Sequence, residues 1–186
     1  MNDELKLETQ PKVPSETQPV EEPVISDHQA QIAHEKFRSE QNLVMGALAG
    51  LVAAVAGAGV WAAVTIMTEF QSSLMAIGIG LMVGFAVRYT GKGIDQSFGI
   101  VGGATSLFGC VLGNILTITY FVAASQDMAY MDVLSRLNDT IIIEMLRATF
   151  EAIDVLFYSL AVYFGYKYAF RQITEEDLNR ALGKAL

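Results

Sequence analysis

Proline, cysteine and histidine are scarce in this chain, and charge is missing from long stretches of it. All four prolines (Pro11, Pro14, Pro19, Pro23) precede residue 24, so the residue that most readily breaks a helix is absent from everything downstream. A lone cysteine, Cys110, excludes a disulfide framework within the chain. His28 and His34 are six residues apart and do not share a helical face as an i, i+4 metal pair would. No metal and no cofactor is therefore expected. The net charge of −8, with no basic stripe, argues against a nucleic-acid partner.

The decisive absence is of Asp, Glu, Lys and Arg from residues 41–68, 70–87 and 96–126, runs of 28, 18 and 31 positions. An uncharged apolar run of about 18 residues is long enough to cross a bilayer as a helix. The pattern predicts an all-α integral membrane protein, a four-helix bundle with spans at about 43–67, 73–88, 98–124 and 150–170. The third run would be about 46 Å long as a helix, too short for two spans and a turn. It reads as one tilted or protruding helix, with Gly102-Gly103 as a place where it can loosen. The fourth span needs Glu151 and Asp154 near one interface and Lys167 near the other, because only residues 155–166 are uncharged. Before it, Met131, Leu134, Leu137, Ile141 and Met145 line one face of an amphipathic segment, 128–148, that lies on the membrane or leads into span four.

Outside this 28–171 membrane domain the composition changes. Residues 1–27 are acidic and proline-rich, with Glu8-Thr9-Gln10-Pro11 echoed by Glu16-Thr17-Gln18-Pro19; they read as a disordered, solvated tail rather than a recruitment tether. An acidic start whose first apolar run begins at Leu43 does not have the form of a cleaved signal peptide. Ser26 or Asp27 is expected to cap a helix over 28–42 that runs straight into span one, and Thr174 with Asp177 to cap a short helix within 172–186. With four spans and both termini cytoplasmic, ten basic residues lie inside and two (Arg136, Arg147) outside. Three spans would put the basic C-terminal segment on the wrong side.

Fourteen of the 16 glycines fall between Gly46 and Gly113. Gly46/Gly50, Gly80/Gly84, Gly99/Gly103 and Gly109/Gly113 are i, i+4 pairs, and the first stripe continues to Gly57. Such pairs clear one helix face so that two backbones approach closely, which matters in lipid because hydrocarbon gives helices no hydrophobic reason to associate. Packing inside the bundle is the preferred use of these faces, ahead of a subunit interface or pore lining. Asn114, Thr119 and Asp154 form a candidate intramembrane polar site, with Thr119 and Asp154 at depths that allow a hydrogen bond between them. A hydrated or hydroxyl-satisfied Asp154 is preferred to a proton or cation site, since no second buried carboxylate accompanies it. Glu144, Arg147 and Glu151 are spaced for a same-face ion-pair ladder.

Catalytic templates do not fit. No histidine is near a span to activate a nucleophile, and Cys110 sits among apolar residues that disfavour a thiolate. Gly91-Lys92-Gly93 lacks the first glycine and the hydroxyl of a phosphate loop, and reads as a tight turn. Arg88 and Lys92 there, with Lys167 and Arg171 after span four, are expected to meet lipid head groups; Tyr158, Tyr163, Tyr166 and Tyr168 suit packing and an interfacial belt.

The run Met75-Ala76-Ile77-Gly78-Ile79-Gly80 into Val83-Gly84-Phe85-Ala86-Val87-Arg88 and Gly91-Lys92-Gly93-Ile94, with Phe98-Gly99 and Asp154 through Lys167, resembles a group of small uncharacterised bacterial multi-span membrane proteins. The resemblance covers about residues 43–171. It implies four spans in a bacterial inner membrane and brings no activity or catalytic residues. The expected function is non-catalytic: a packing or assembly subunit whose glycine faces dock on a second copy or on another membrane protein. The alternative is a homo-oligomeric channel or proton/ion carrier using Asp154, Asn114 and Arg88.

Overall fold

The computed structural model describes residues 26–69 and 73–183. Residues 1–25 of the acidic tail and residues 184–186 lie outside the described residues. Among the described residues all regular structure is helical: α1 (Asp27–Glu40), α2 (Leu43–Thr68), α3 (Met75–Gly91), α4 (Gln96–Ser125), α5 (Tyr130–Ser135), α6 (Asp139–Thr149), α7 (Ala152–Tyr168) and α8 (Glu175–Ala181). Two of them, α2 with 26 residues and α4 with 30, are long and apolar enough by length and composition to cross a membrane. α3 and α7 have 17 residues each.

Local chemistry sets the boundaries. Ser26 and Gln29 form a reciprocal capping box that starts α1. The expected continuous helix from α1 into the first apolar run does not form. Gln41 is extended, and Asn42 caps α2 by accepting a hydrogen bond from the Met45 backbone N–H at 3.0 Å. Asparagine competes for backbone donors and so favours a cap over a helix interior, and the break frees α1 to pack against α8. The amphipathic segment is likewise broken: α5 stops at Ser135 and Asn138 caps α6. α6 ends at Thr149 and Glu151 caps α7, so Glu151 leaves the helix that carries Glu144 and Arg147 and the three-residue face does not form. No ion pair joins them among the described residues. α4 runs unbroken through Gly102-Gly103 because both glycines press against α7.

Four helices make the body. α3 and α4 touch each other and each touches both α2 and α7, while the backbones of α2 and α7 stay apart, giving a rhombus with α3 and α4 on its short diagonal. The facing residues give directions. Gly46 meets Gly91 and Gly57 meets Ile79, so α2 and α3 are antiparallel; Gly109 meets Ala54 and Gly113 meets Ala58, so α2 and α4 are parallel. The chain therefore runs up, down, up and down. One end of the body carries α1, the α3–α4 turn and α8, and is called the cap end below; the far end carries Ser73, α5, α6 and the start of α7.

Side-chain size sorts by position. The interior holds Ala54, Ala58, Ala76, Ala161 and most of the glycines, with Trp61, Phe98, Val83 and Val87 as its large members. Much of the large apolar surface points outward, including Val44, Val52 and Val60 on α2, Ile100 and Phe108 on α4, and Val155 and Leu156 on α7.

Candidate functional site

All nine singled-out glycines are buried, and each faces another helix of the same chain or the segment just after α7. A Cβ on Gly80 would lie 2.8 Å from the Ala161 Cα, and one on Gly84 would lie 2.9 Å from the Tyr168 Cβ and 3.1 Å from the Phe164 carbonyl oxygen. One on Gly109 would lie 3.1 Å from the Ala54 Cβ, and one on Gly113 would lie 3.4 Å from the Ala58 Cα. Gly46 meets Gly91, Gly50 meets Val87, Gly57 meets Ile79 and Met82, Gly99 meets Tyr166 and Phe170, and Gly103 meets Val162. Gly102 and Gly165, which the spacing did not single out as a pair, meet across α4 and α7 beside Ser106. These faces are occupied within the chain.

At the far end the polar residues cluster, though not as the sequence suggests. Asp154 is 5% exposed. Its Oδ2 accepts from the Glu151 backbone N–H at 2.9 Å, and its Oδ1 accepts from the Ser73 hydroxyl at 2.6 Å. The expected Thr119–Asp154 hydrogen bond is absent. The Thr119 hydroxyl donates to the Ile115 carbonyl of its own helix at 2.7 Å, a local partner that needs no tertiary fit. Ser106 and Thr117 donate in the same way to Gly102 and Gly113. A cavity of about 120 Å³ lined by Ser73, Thr149, Glu151 and Asp154 opens beside the carboxylate.

One helical turn further along α7, Asn114 Nδ2 donates to the Tyr158 hydroxyl oxygen at 3.2 Å, and the Trp61 ring meets the Tyr158 ring edge-on at 6.4 Å. Three atoms of this layer and the next turn of α2 are buried without a hydrogen-bond partner: Asn114 Oδ1, Trp61 Nε1 and Thr65 Oγ1. A buried polar atom left unpaired costs about 1–3 kcal/mol. Apolar residues of the same size would pack here at no such cost. Arg88, the third member of the expected ion site, is at the cap end, where its Nη2 donates to Gln172 at 3.2 Å and its guanidinium lies over Tyr89. The structure thus brings Asn114 to within one side chain of Asp154 and separates both from Arg88.

The cap end is held by charge. Arg171 sits over the Phe37 ring at 4.8 Å and pairs with Glu40 at 2.8 Å and Asp177 at 3.2 Å. Arg171, expected to meet lipid head groups, has these partners within the chain. The hydrogen bond from Arg171 holds the Glu40 carboxyl below its ordinary range, against slight desolvation. For Asp177 desolvation pushes upward, but the Thr174 backbone and hydroxyl and Arg171 outweigh it, and the net shift is downward. Lys92 and Lys167 are exposed, the latter 5.5 Å from the Tyr163 ring centroid. Among the described residues no group of three or more His, Cys, Asp or Glu is placed to hold a metal.

Sequence reasoning missed Ser73, Trp61 and Thr65, and gave Tyr158 to packing and an interfacial belt. The available signal was the chain's sole tryptophan, set in the middle of an Ala/Gly-rich uncharged run, where its indole N–H needs a partner. No family model matches the chain, and neither the curated proteins nor the solved structures contain a match to it.

Proposed function

We propose that the chain is a four-span integral membrane protein of a bacterial inner membrane, with α2, α3, α4 and α7 crossing the bilayer and the cap end cytoplasmic. We propose further that it acts as a non-catalytic assembly subunit of a membrane complex. One observation carries the reading: small and polar residues fill the interior while large apolar residues face outward. The apolar window of α2 is only 28% buried, the reverse of a helix in a water-soluble core. Hydrocarbon as the surrounding solvent accounts for this arrangement. At about 1.5 Å per residue, α3 and α7 each extend about 25 Å, near the lower bound for a span. The charge pattern agrees, since Lys36, Arg38, Arg88, Lys92, Lys167, Arg171 and Arg180 gather at the cap end and Arg136 and Arg147 at the far end.

With the glycine faces used internally, a partner would dock on the outer apolar surface rather than on those faces. The test is the native mass and composition of the tagged protein after mild-detergent extraction. A stoichiometric second polypeptide, or a defined homo-oligomer, is expected. A monomer carrying only lipid removes the assembly role.

The carrier reading is kept for the unpaired Asn114 Oδ1, Trp61 Nε1 and Thr65 Oγ1 beside the buried Asp154. It no longer includes Arg88. Asp154→Asn in proteoliposomes separates the two roles: assembly predicts an unchanged complex with no flux to lose, and a carrier predicts a basal ion flux that the substitution abolishes.

A further inference from the structure

The cap end encloses a cavity of about 200 Å³ whose walls come from α1, the α3–α4 turn and α8. Its charged lining is Lys36, Lys92, Arg171 and Arg180 against Glu40 and Asp177. Both carboxylates are engaged by Arg171, on separate guanidinium nitrogens. Arg180 reaches Glu176, and both of those side chains are largely exposed. Lys36 Nζ donates to the Arg180 backbone carbonyl at 3.2 Å and meets no carboxylate among the described residues. The Lys92 ammonium has neither an ion pair nor a hydrogen bond among them, and feels Glu40 only through space. The lining carries four cations and two anions, and with Glu176 drawn to Arg180 the group is left with one net positive charge; Lys36 and Lys92 are the two ammonium groups without a carboxylate partner.

The backbone behind Lys92 is fixed. Lys92 ends α3 at φ 49°, a left-handed conformation that glycine or asparagine adopts more easily than lysine. A Cβ on Gly91 or Gly93 would run into the Phe98 ring, so neither neighbour has room to shift. Gly91 and Gly93 are also tied through their carbonyls to Asn42 N–H at 2.9 Å and Arg171 N–H at 2.8 Å. The ammonium of Lys92 thus extends from an immobilised turn into a cavity whose opposite wall supplies Lys36.

We infer that this cavity binds a phosphate-bearing anion, with Lys36 and Lys92 as its direct ligands and Arg180 at its rim. Several phosphate oxygens can accept from both ammonium groups at once, and neither ammonium has a carboxylate to give up. A lipid head group or a free phosphate would present the same chemistry. The proposal goes beyond the assembly role and does not depend on it, because free phosphate can be tested without a bilayer.

The experiment uses the full chain in an uncharged detergent, titrated with inorganic phosphate and followed by thermal unfolding and calorimetry. In parallel the chain is placed in nanodiscs of zwitterionic lipid with and without phosphatidic acid. The test variant is Lys36→Gln/Lys92→Asn, asparagine being chosen because it tolerates the left-handed turn. Lys167→Gln, a cation at the same end outside the cavity, is the control. The expected result is stabilisation by phosphate, by phosphatidic acid or by both, weakened about tenfold or more in the double variant and unchanged in the control. Binding of phosphate alone identifies a soluble ligand, and of phosphatidic acid alone a lipid. The proposal is overturned by no binding of either, by equal binding in the double variant, or by equal loss in Lys167→Gln. An unchanged melting temperature of the unliganded double variant verifies that the cap remains folded.

Discussion

The two ends of the helical body are held together by different chemistry. Toward the cap end, backbone lies against backbone: Gly46 on Gly91, Gly84 on the Phe164 and Gly165 carbonyls, Gly102 on Gly165. Toward the far end, side chains span the gaps: Ser73 to Asp154, Asn114 to Tyr158, Trp61 against Tyr158. The first arrangement has no room for an added methyl group and leaves little unsatisfied. The second leaves three polar atoms buried and unpaired. Close packing accounts for stability at one end, whereas the other retains groups that weaken the fold, as sites with a task beyond holding the fold together commonly do.

Substitutions can break or sharpen that contrast. The largest effect is expected from Gly80→Leu, whose side chain would have to displace the Ala161 backbone; a loss of about 3 kcal/mol or more is predicted by reversible unfolding in mixed micelles. A loss below 1 kcal/mol, on the order of a surface substitution, would mean that the glycine contacts do not hold the body. Next comes Arg171→Ala, which leaves Glu40 and Asp177 without their shared cation. Because the Glu40 side chain is 40% exposed, screening limits the expected loss to about 1–2 kcal/mol, seen as faster proteolysis of α1 and α8.

Acid should act at the same place. Both carboxyls titrate below their ordinary values in the folded chain. Their contribution is present above the ordinary carboxylate range and disappears as pH falls through the lowered folded values. The cap should therefore loosen below about pH 4, before the body does. Hydrogen exchange of α1 and α8 against that of α4 checks the order.

A smaller effect of opposite sign is expected at the far end. Asn114→Leu with Tyr158→Phe removes an unpaired acceptor together with its neighbour, and should raise stability by about 1 kcal/mol. If stability falls instead, the polar layer supports the fold and the contrast between the ends disappears. The smallest change is Gly59→Ala. Its Cβ would meet nothing within 4 Å, so a helix-propensity gain of about 0.5 kcal/mol is expected, with no effect on assembly.

The long elements were readable because charge stops and restarts at their ends: Glu40 and Glu69 bracket α2, and Asp95 and Asp127 bracket α4. The breaks at Asn42 and Asn138 were not, because asparagine is compatible with a polar helix face until a backbone donor is there for it to cap. Glycine spacing gave the face of each helix but not its partner. Gly80 facing Ala161 and Gly102 facing Gly165 are consequences of the rhombus, which no single helix encodes. Thr119 and Asp154 were matched by depth alone. Depth does not tell that a threonine hydroxyl has a carbonyl of its own helix within reach, or that Ser73, in the turn just before α3, lies beside the carboxylate.

The clasp between α1 and α8 also places the chain's closing step in time. Lys36 and the Arg180 carbonyl that it meets are separated by 144 positions. At about 5–20 residues per second of synthesis, α1 waits roughly 7–30 s for its partner. Until then the face that buries Ala33 and Phe37 has only Ile94 of its apolar neighbours to cover it, and the turn at Lys92 lacks one of its two backbone ties. A ribosome stalled before residue 171 would display an unfinished cap, the surface that a chaperone or protease recognises.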